Sequence, residues 1–109
     1  MAYVVNGEEL VTDEQGFLLE PDYRDEVVGA IAAAEGIALT PDHWTVVRYL
    51  REQYREHGHT PNFRHMLKEL GDELPGCDSK SLYALFPIGP AKQGAKVAGL
   101  PQPLGKGGY

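Results

Sequence analysis

The chain has 109 residues, 42% of them apolar and 24% charged, which suits one soluble domain with a single modest core. No apolar run approaches the roughly 20 residues of a membrane span, the opening MAYVVNGEEL is not built like a secretory signal, and the lone Cys77 excludes an internal disulfide, so the expected compartment is the cytoplasm. The net charge of −6 is uneven: sixteen acids and six bases lie at or before Asp78, whereas four lysines and no acid follow it, which fits the last third for an acidic surface on its own body or on a partner.

Tyr3-Val4-Val5, Asn6-Gly7 and Glu8 to Val11 predict a β-hairpin, because Asn-Gly accepts positive φ at both centres of a type I′ turn. Gly16 and Phe17-Leu18-Leu19 predict a further strand-like piece. Pro21 to Glu35 reads as a first helix, with Asp22, Asp25 and Glu26 in its first turns, Val27, Val28, Ile31 and Ala34 as the buried stripe, and Gly36 as the stop. The second helix has Thr40 as N-cap, Pro41 at its first position and Gly58 after its end. Trp44, Val47, Leu50 and Tyr54 recur at spacings of three and four and are expected to face the core, with Arg48, Glu52 and Arg55 on the wet side. Thr60-Pro61 repeats the same cap and opens a third helix through Phe63, Met66, Leu67 and Leu70 to Gly71. Asp78 caps a fourth, Ser79 to Phe86, which Pro87 breaks, and Pro90 to Ala98 forms a short fifth. The fold class is therefore mainly α with a small N-terminal β-hairpin. Residues 1–98 are expected to form one compact helical domain and residues 99–109 an extended C-terminal arm, rich in glycine and proline.

Candidate chemistry is sparse. His57, His59 and His65 lie close in sequence, with Cys77 further on, but no Cys-x-x-Cys or His-x-x-x-His spacing links them, so no metal site is expected. Cys77 lacks a neighbouring cation to stabilise a thiolate. No phosphate-binding or nucleophile-elbow motif is present. The second and third helices with the turn between them form a helix-turn-helix-like pair, in which Asn62, Arg64 and Lys68 stand where base contacts would come from. Against a DNA reader, residues 41–71 hold five bases against four acids and the pI is about 5.1.

Four stretches then carry a resemblance. VNGEELVTDEQGFL (5–18), LTPDHWTVVRYLREQY (39–54), the Thr60-Pro61 turn with Arg64, and SLYALFPIGPAKQGAKVAGLPQP (81–103) resemble, in order and almost end to end, the DsrC/TusE family of sulfur-relay proteins. The resemblance implies a helical bundle preceded by a β-hairpin, with the C-terminal segment as a mobile arm. It also implies partners: sulfur-relay, sulfite-reductase-like or heterodisulfide-reductase-like proteins. No cofactor and no membrane are expected, and nucleic acid is a partner only on the alternative reading. In that family a cysteine next to the last residue carries sulfur as a persulfide, or joins a second arm cysteine upstream. Aligning GPAK and AGLP without gaps puts Ala95 at the upstream cysteine and Lys106 at the terminal one. The expectation is therefore a protein that is neither an enzyme nor a covalent sulfur carrier, but a regulator or scaffold docking through Lys92, Lys96, Leu100, Pro101, Pro103 and Leu104. The alternative is a helix-turn-helix regulator of sulfur-metabolism genes.

Overall fold

Asn6 at φ 52° and Gly7 at φ 82° turn the chain between β1 (Ala2–Val5) and β2 (Glu8–Val11), as expected of Asn-Gly. This computed structural model describes residues 2–74 and 76–102. The two antiparallel strands pair Ala2 with Val11 and Val5 with Glu8, which turns Tyr3, Val5 and Leu10 inward and leaves Val4 and Val11 exposed. The apolar stretch after Gly16 contributes one isolated bridge, Thr12 to Leu18, and buries Phe17 and Leu18. It does not extend as a strand because the Asp13 carboxylate accepts from the amides of Gln15 and Phe17 and curls the chain.

Five helices follow: α1 (Asp25–Ala34), α2 (Pro41–His57), α3 (Phe63–Glu73), α4 (Ser79–Leu85) and α5 (Pro90–Val97). The start of α2 is as expected. The Thr40 hydroxyl accepts from the His43 amide while His43 Nδ1 accepts from the Thr40 amide at 3.0 Å. That leaves the ring proton on Nε2, which donates to the Leu85 carbonyl at 2.9 Å and ties α2 to the end of α4. Asp78 caps α4 with Ser81 in return, and Pro90 opens α5.

Four expectations shift. In α1 the buried stripe is Val27, Val28, Ile31 and Ala32, with Ala34 exposed. Helix α1 begins at Asp25 rather than Pro21, because residues 22–24 are held extended from outside: the Asp22 amide donates to the Gly99 carbonyl at 2.8 Å, and the Arg24 carbonyl accepts from Arg51. Helix α3 is capped by Asn62, whose Oδ1 takes the His65 amide at 2.9 Å, and not by Thr60; it also runs through Gly71 to Glu73. On α2, Val47 and Leu50 are buried, but Trp44 and Tyr54 sit at the margin, whereas His43, Val46, Tyr49 and Arg51 are sealed.

Helix α5 explains that wider inner face. It packs between α1 and α2 and buries Ala91, Gln93, Gly94, Ala95 and Val97. Its small residues permit the approach: a Cβ on Gly94 would stand 3.0 Å from Leu50 Cδ1. Past α5 the chain leaves through Ala98 and Gly99. The buried Arg51 side chain reaches this exit, with Nε donating to the Ala98 carbonyl at 2.9 Å. Its NH2 group donates to the carbonyls of Arg24 at 3.0 Å and Asp22 at 3.4 Å, and NH1 meets the Asp25 carboxylate at 3.2 Å. Burial lowers the proton affinity of this guanidinium and Asp25 partly restores it. Gly99 completes the exit at φ 80°, where a Cβ would lie 2.4 Å from the Asp22 carbonyl oxygen.

Gly99→Ala is therefore expected to cost more than the roughly 1–2 kcal/mol of left-handed backbone alone. Gly36→Ala has a similar φ of 74° but open space around the added methyl, and should lose only that backbone part. Equal falls of Tm in the two variants would refute the close approach. Arg51→Met leaves interior carbonyls without a donor and should cost about 3 kcal/mol, with faster proteolysis beyond Val97. An unchanged Tm would show that the guanidinium is dispensable.

Candidate functional site

The root of the arm gathers most of the residues that the sequence singled out. Ala95, aligned with the upstream family cysteine, lies fully buried on the inner face of α5, and its carbonyl accepts from the Leu100 amide at 3.1 Å. The first arm residues thus fold over that position. Leu100 itself is fully buried and belongs to the core, so offering it to a partner means first withdrawing it. Lys96 is likewise engaged: its Nζ lies 3.4 Å from Glu35 Oε1 and 5.2 Å from the Phe17 ring centroid. Gln93 shares that carboxylate, donating from Nε2 at 3.1 Å while its Oε1 accepts from the Ile88 amide. Glu35 is thus the common acceptor that joins the end of α1 to α5. Lys92 and Pro101 are half-buried, and the exposed Gln102 meets Gln15 at 3.2 Å. Pro103, Leu104 and Lys106 lie outside the described residues.

Arg51, Glu35 and Gln93 were not anticipated. Arg51 stands four residues after Val47, on the inner stripe by spacing, and only its charge argued against burial. Glu35 and Gln93 are separated by 58 residues, and no local signal pairs them.

Cys77 lies half-buried in the loop before α4. Burial raises its thiol pKa, the carboxylates of Asp78 and Asp42 add to the rise, and a hydrogen bond with Ser81 opposes it. The net effect leaves less thiolate at neutral pH than an ordinary cysteine has.

The DNA-reading candidates fare differently from one another. Asn62 is occupied as the α3 cap. Arg64 and Lys68 are exposed, but Glu69, Asp72 and Glu73 follow on the same helix and, with Glu52 and Arg48 of α2, line a hollow with four acids to one base, a balance that disfavours a phosphate backbone. Tyr49 donates to Glu69 there, and burial followed by that carboxylate raises the phenol's pKa. Among the described residues no three His, Cys, Asp or Glu side chains are placed to share a metal ion, and no helix is long and apolar enough to cross a membrane.

Comparison with known proteins covers nearly the whole chain. A family model described as DsrC like protein matches residues 4–105. The Sulfurtransferase TusE of Salmonella typhimurium is 43% identical over 104 residues, spanning 93% of this chain and 95% of that protein. The structure of the oxidized gamma-subunit of the dissimilatory sulfite reductase (DsrC) from Archaeoglobus fulgidus superposes with a TM-score of 0.87 at 38% identity, covering 96% of this chain and 98% of that one. DsrC of Allochromatium vinosum gives 0.86 at 38% identity, covering 95% and 96%. Family model, sequence and fold agree: this chain belongs to the DsrC/TusE family.

Proposed function

We propose that this protein is a sulfur-metabolism factor of the DsrC/TusE type that binds relay or sulfite-reductase-type partners through its C-terminal arm, in the cytoplasm, without carrying sulfur covalently on that arm. The observation that carries this reading is Ala95. Where the family resemblance places the upstream cysteine, a methyl group sits sealed in the core beneath the arm's first turn. Lys106 stands at the terminal cysteine position, and neither an alkyl nor an ammonium group can hold a persulfide. Cys77 lies on another loop with its thiol pKa raised, which suits it poorly to nucleophilic sulfur transfer.

The docking elements on this reading are Lys92 and Pro101 with Pro103, Leu104 and Lys106, cations and stiff apolar residues matched to an acidic, apolar groove. Lys96 and Leu100 hold the arm to the body instead. A protein of this kind competes with, or reports on, thiol-bearing relatives at the same partners.

Four measurements test the reading. After exposure to polysulfide, peptide masses should show sulfur on Cys77 alone, and alkylation of Cys77 should accelerate only above the pH at which a free thiol reacts. The sign follows from the raised pKa, since the thiolate fraction at a given pH falls as the pKa rises. A sulfur adduct on residues 90–102 or 103–109 would overturn the non-carrier role. A chain truncated after Gln102, which keeps Leu100 in the core, should lose relay or sulfite-reductase-like partners that the full chain captures from the host, while Lys106→Cys should gain persulfide on the arm. Partners retained in full by the truncated chain would show that the arm is not the binding element.

A further inference from the structure

The large apolar side chains left exposed among the described residues fall in two places: Val4, Val11 and Leu19 at the hairpin, and Tyr83 and Ile88 around the end of α4. A lone exposed apolar residue is ordinary, whereas several on one face mark an interaction surface.

Register puts the first three on one face. Val4 opposes Glu9 and Val11 opposes Ala2, and the Leu19 amide donates to the Val11 carbonyl at 3.3 Å beside the Thr12–Leu18 bridge. Opposed residues of an antiparallel pair point the same way. Val4, Val11 and Leu19 therefore cross the outer face of the hairpin, with Glu9 among them. Next to this row, Leu10, Val11, Leu18 and Leu19 line a hollow of about 390 Å³, room for a branched side chain. Glu9 and Glu20 stand exposed at the hollow, and neither joins an ion pair among the described residues. Glu8 and Asp22 line it too, but Arg24 holds both. No lysine or arginine among the described residues lines it.

The second place has the opposite shape and sign. Lys80, Tyr83 and Ala84 are exposed at spacings of three and four on α4, and the chain continues through exposed Pro87 to Ile88, which is 74% exposed. Ile88 is held outward by fixed backbone. Its amide donates to Oε1 of the buried Gln93 at 3.0 Å, the Gly89 amide donates to the Phe86 carbonyl at 3.0 Å, and Gly89 takes a φ of 145° that suits glycine alone. A knob fixed in advance loses little entropy on docking. Lys92 follows four residues after Ile88, and neither it nor Lys80 joins an ion pair among the described residues. The sequence from Ser79 to Gln102 contains no acid. Asp78 is occupied as the α4 cap, and Glu35 behind Gln93 is matched by Lys96.

We propose that these two surfaces are the halves of a self-contact, in which the Ile88 knob of one copy seats in the hairpin hollow of a second copy, with Lys80 and Lys92 facing Glu9 and Glu20. Complementary charge carries the choice of partner, since the recess offers unpaired carboxylates and the knob unpaired ammonium groups. Two copies of the knob face would repel each other. The net charge of −6 on each copy opposes association at long range, but at a Debye length of about 8 Å close pairs outweigh it. The small surfaces make the contact weak and transient. Because unlike surfaces meet, it closes reciprocally into a pair or grows into longer assemblies. The contact is independent of the role proposed for the arm.

Sedimentation equilibrium of the full chain at physiological salt should show a mean mass that rises above the monomer towards millimolar concentration. Glu9→Lys with Glu20→Lys in one chain, and Lys80→Glu with Lys92→Glu in another, should each weaken self-association at least about tenfold by setting like charges face to face. An equimolar mixture of the two chains should restore it. Both remain net negative, so overall charge cannot drive the mixing. Val11→Thr and Ile88→Ser, at exposed positions, should also weaken it, and a chain ending at Gln102 should associate as the full chain does. Monomer mass throughout, or a mixture that fails to recover, would overturn the proposal. So would loss of association in the chain ending at Gln102, which would assign the hollow to the arm.

Discussion

Backbone that belongs to no helix or strand has to find its hydrogen bonds elsewhere, and at the exit of this fold they come from the guanidinium of Arg51. It satisfies the carbonyls of Asp22, Arg24 and Ala98, three groups drawn from two segments that no regular element joins. A planar, multiply donating cation is suited to such a junction in a way that a lysine is not. The cost of burying it is offset by Asp25 and by the number of bonds it makes. Around it the segment before α1 runs beside the segment after α5, joined also by the Asp22 amide and the Gly99 carbonyl. The late start of α1 and the direction in which the chain leaves α5 both draw on this one side chain.

Helix α5 supplies the complementary constraint. A central helix of eight residues whose buried face is Pro90, Ala91, Gln93, Gly94, Ala95 and Val97 has little apolar bulk of its own, yet it is nearly enclosed. It earns its place by thinness, letting larger residues of α1 and α2 close over it. A cysteine at Ala95 would add one sulfur to that seam; the alanine leaves the seam closed and chemically inert. The absence of a thiol and the tightness of the packing are thus two properties of the same position.

What could be read from the sequence was local. Asn6-Gly7, Thr40-Pro41 and Asp78 each act within a few residues, and each produced the turn or cap expected. Thr60-Pro61 has the same local signal, but Asn62 is a better-placed competitor two residues on, and composition does not rank them. The start of α1 is set by partners more than 20 residues away, and the ion pair of Lys96 with Glu35 spans 61 residues, so neither leaves a mark on a short window. For the candidate site, the position of Ala95 came from family likeness and its enclosure from the structure. That Leu100 lies inside could not be inferred from a segment that reads as linker by its glycines and prolines.

The bonds at the arm root have a direction as well as a strength. Gln102 meets Gln15, Leu100 meets Ala95, Gly99 meets Asp22 and Ala98 meets Arg51, in order from the outside inward. A load applied to the arm beyond Gln102 would therefore reach them one at a time, as in peeling, and would never strain them together, as in shear. The first contact to give is a solvent-exposed amide pair and the last is the buried cation. Peeling needs little force at any instant and is reversed step by step when the load is released. Opened from that end, the root would give way in steps from the exposed contact to the buried one.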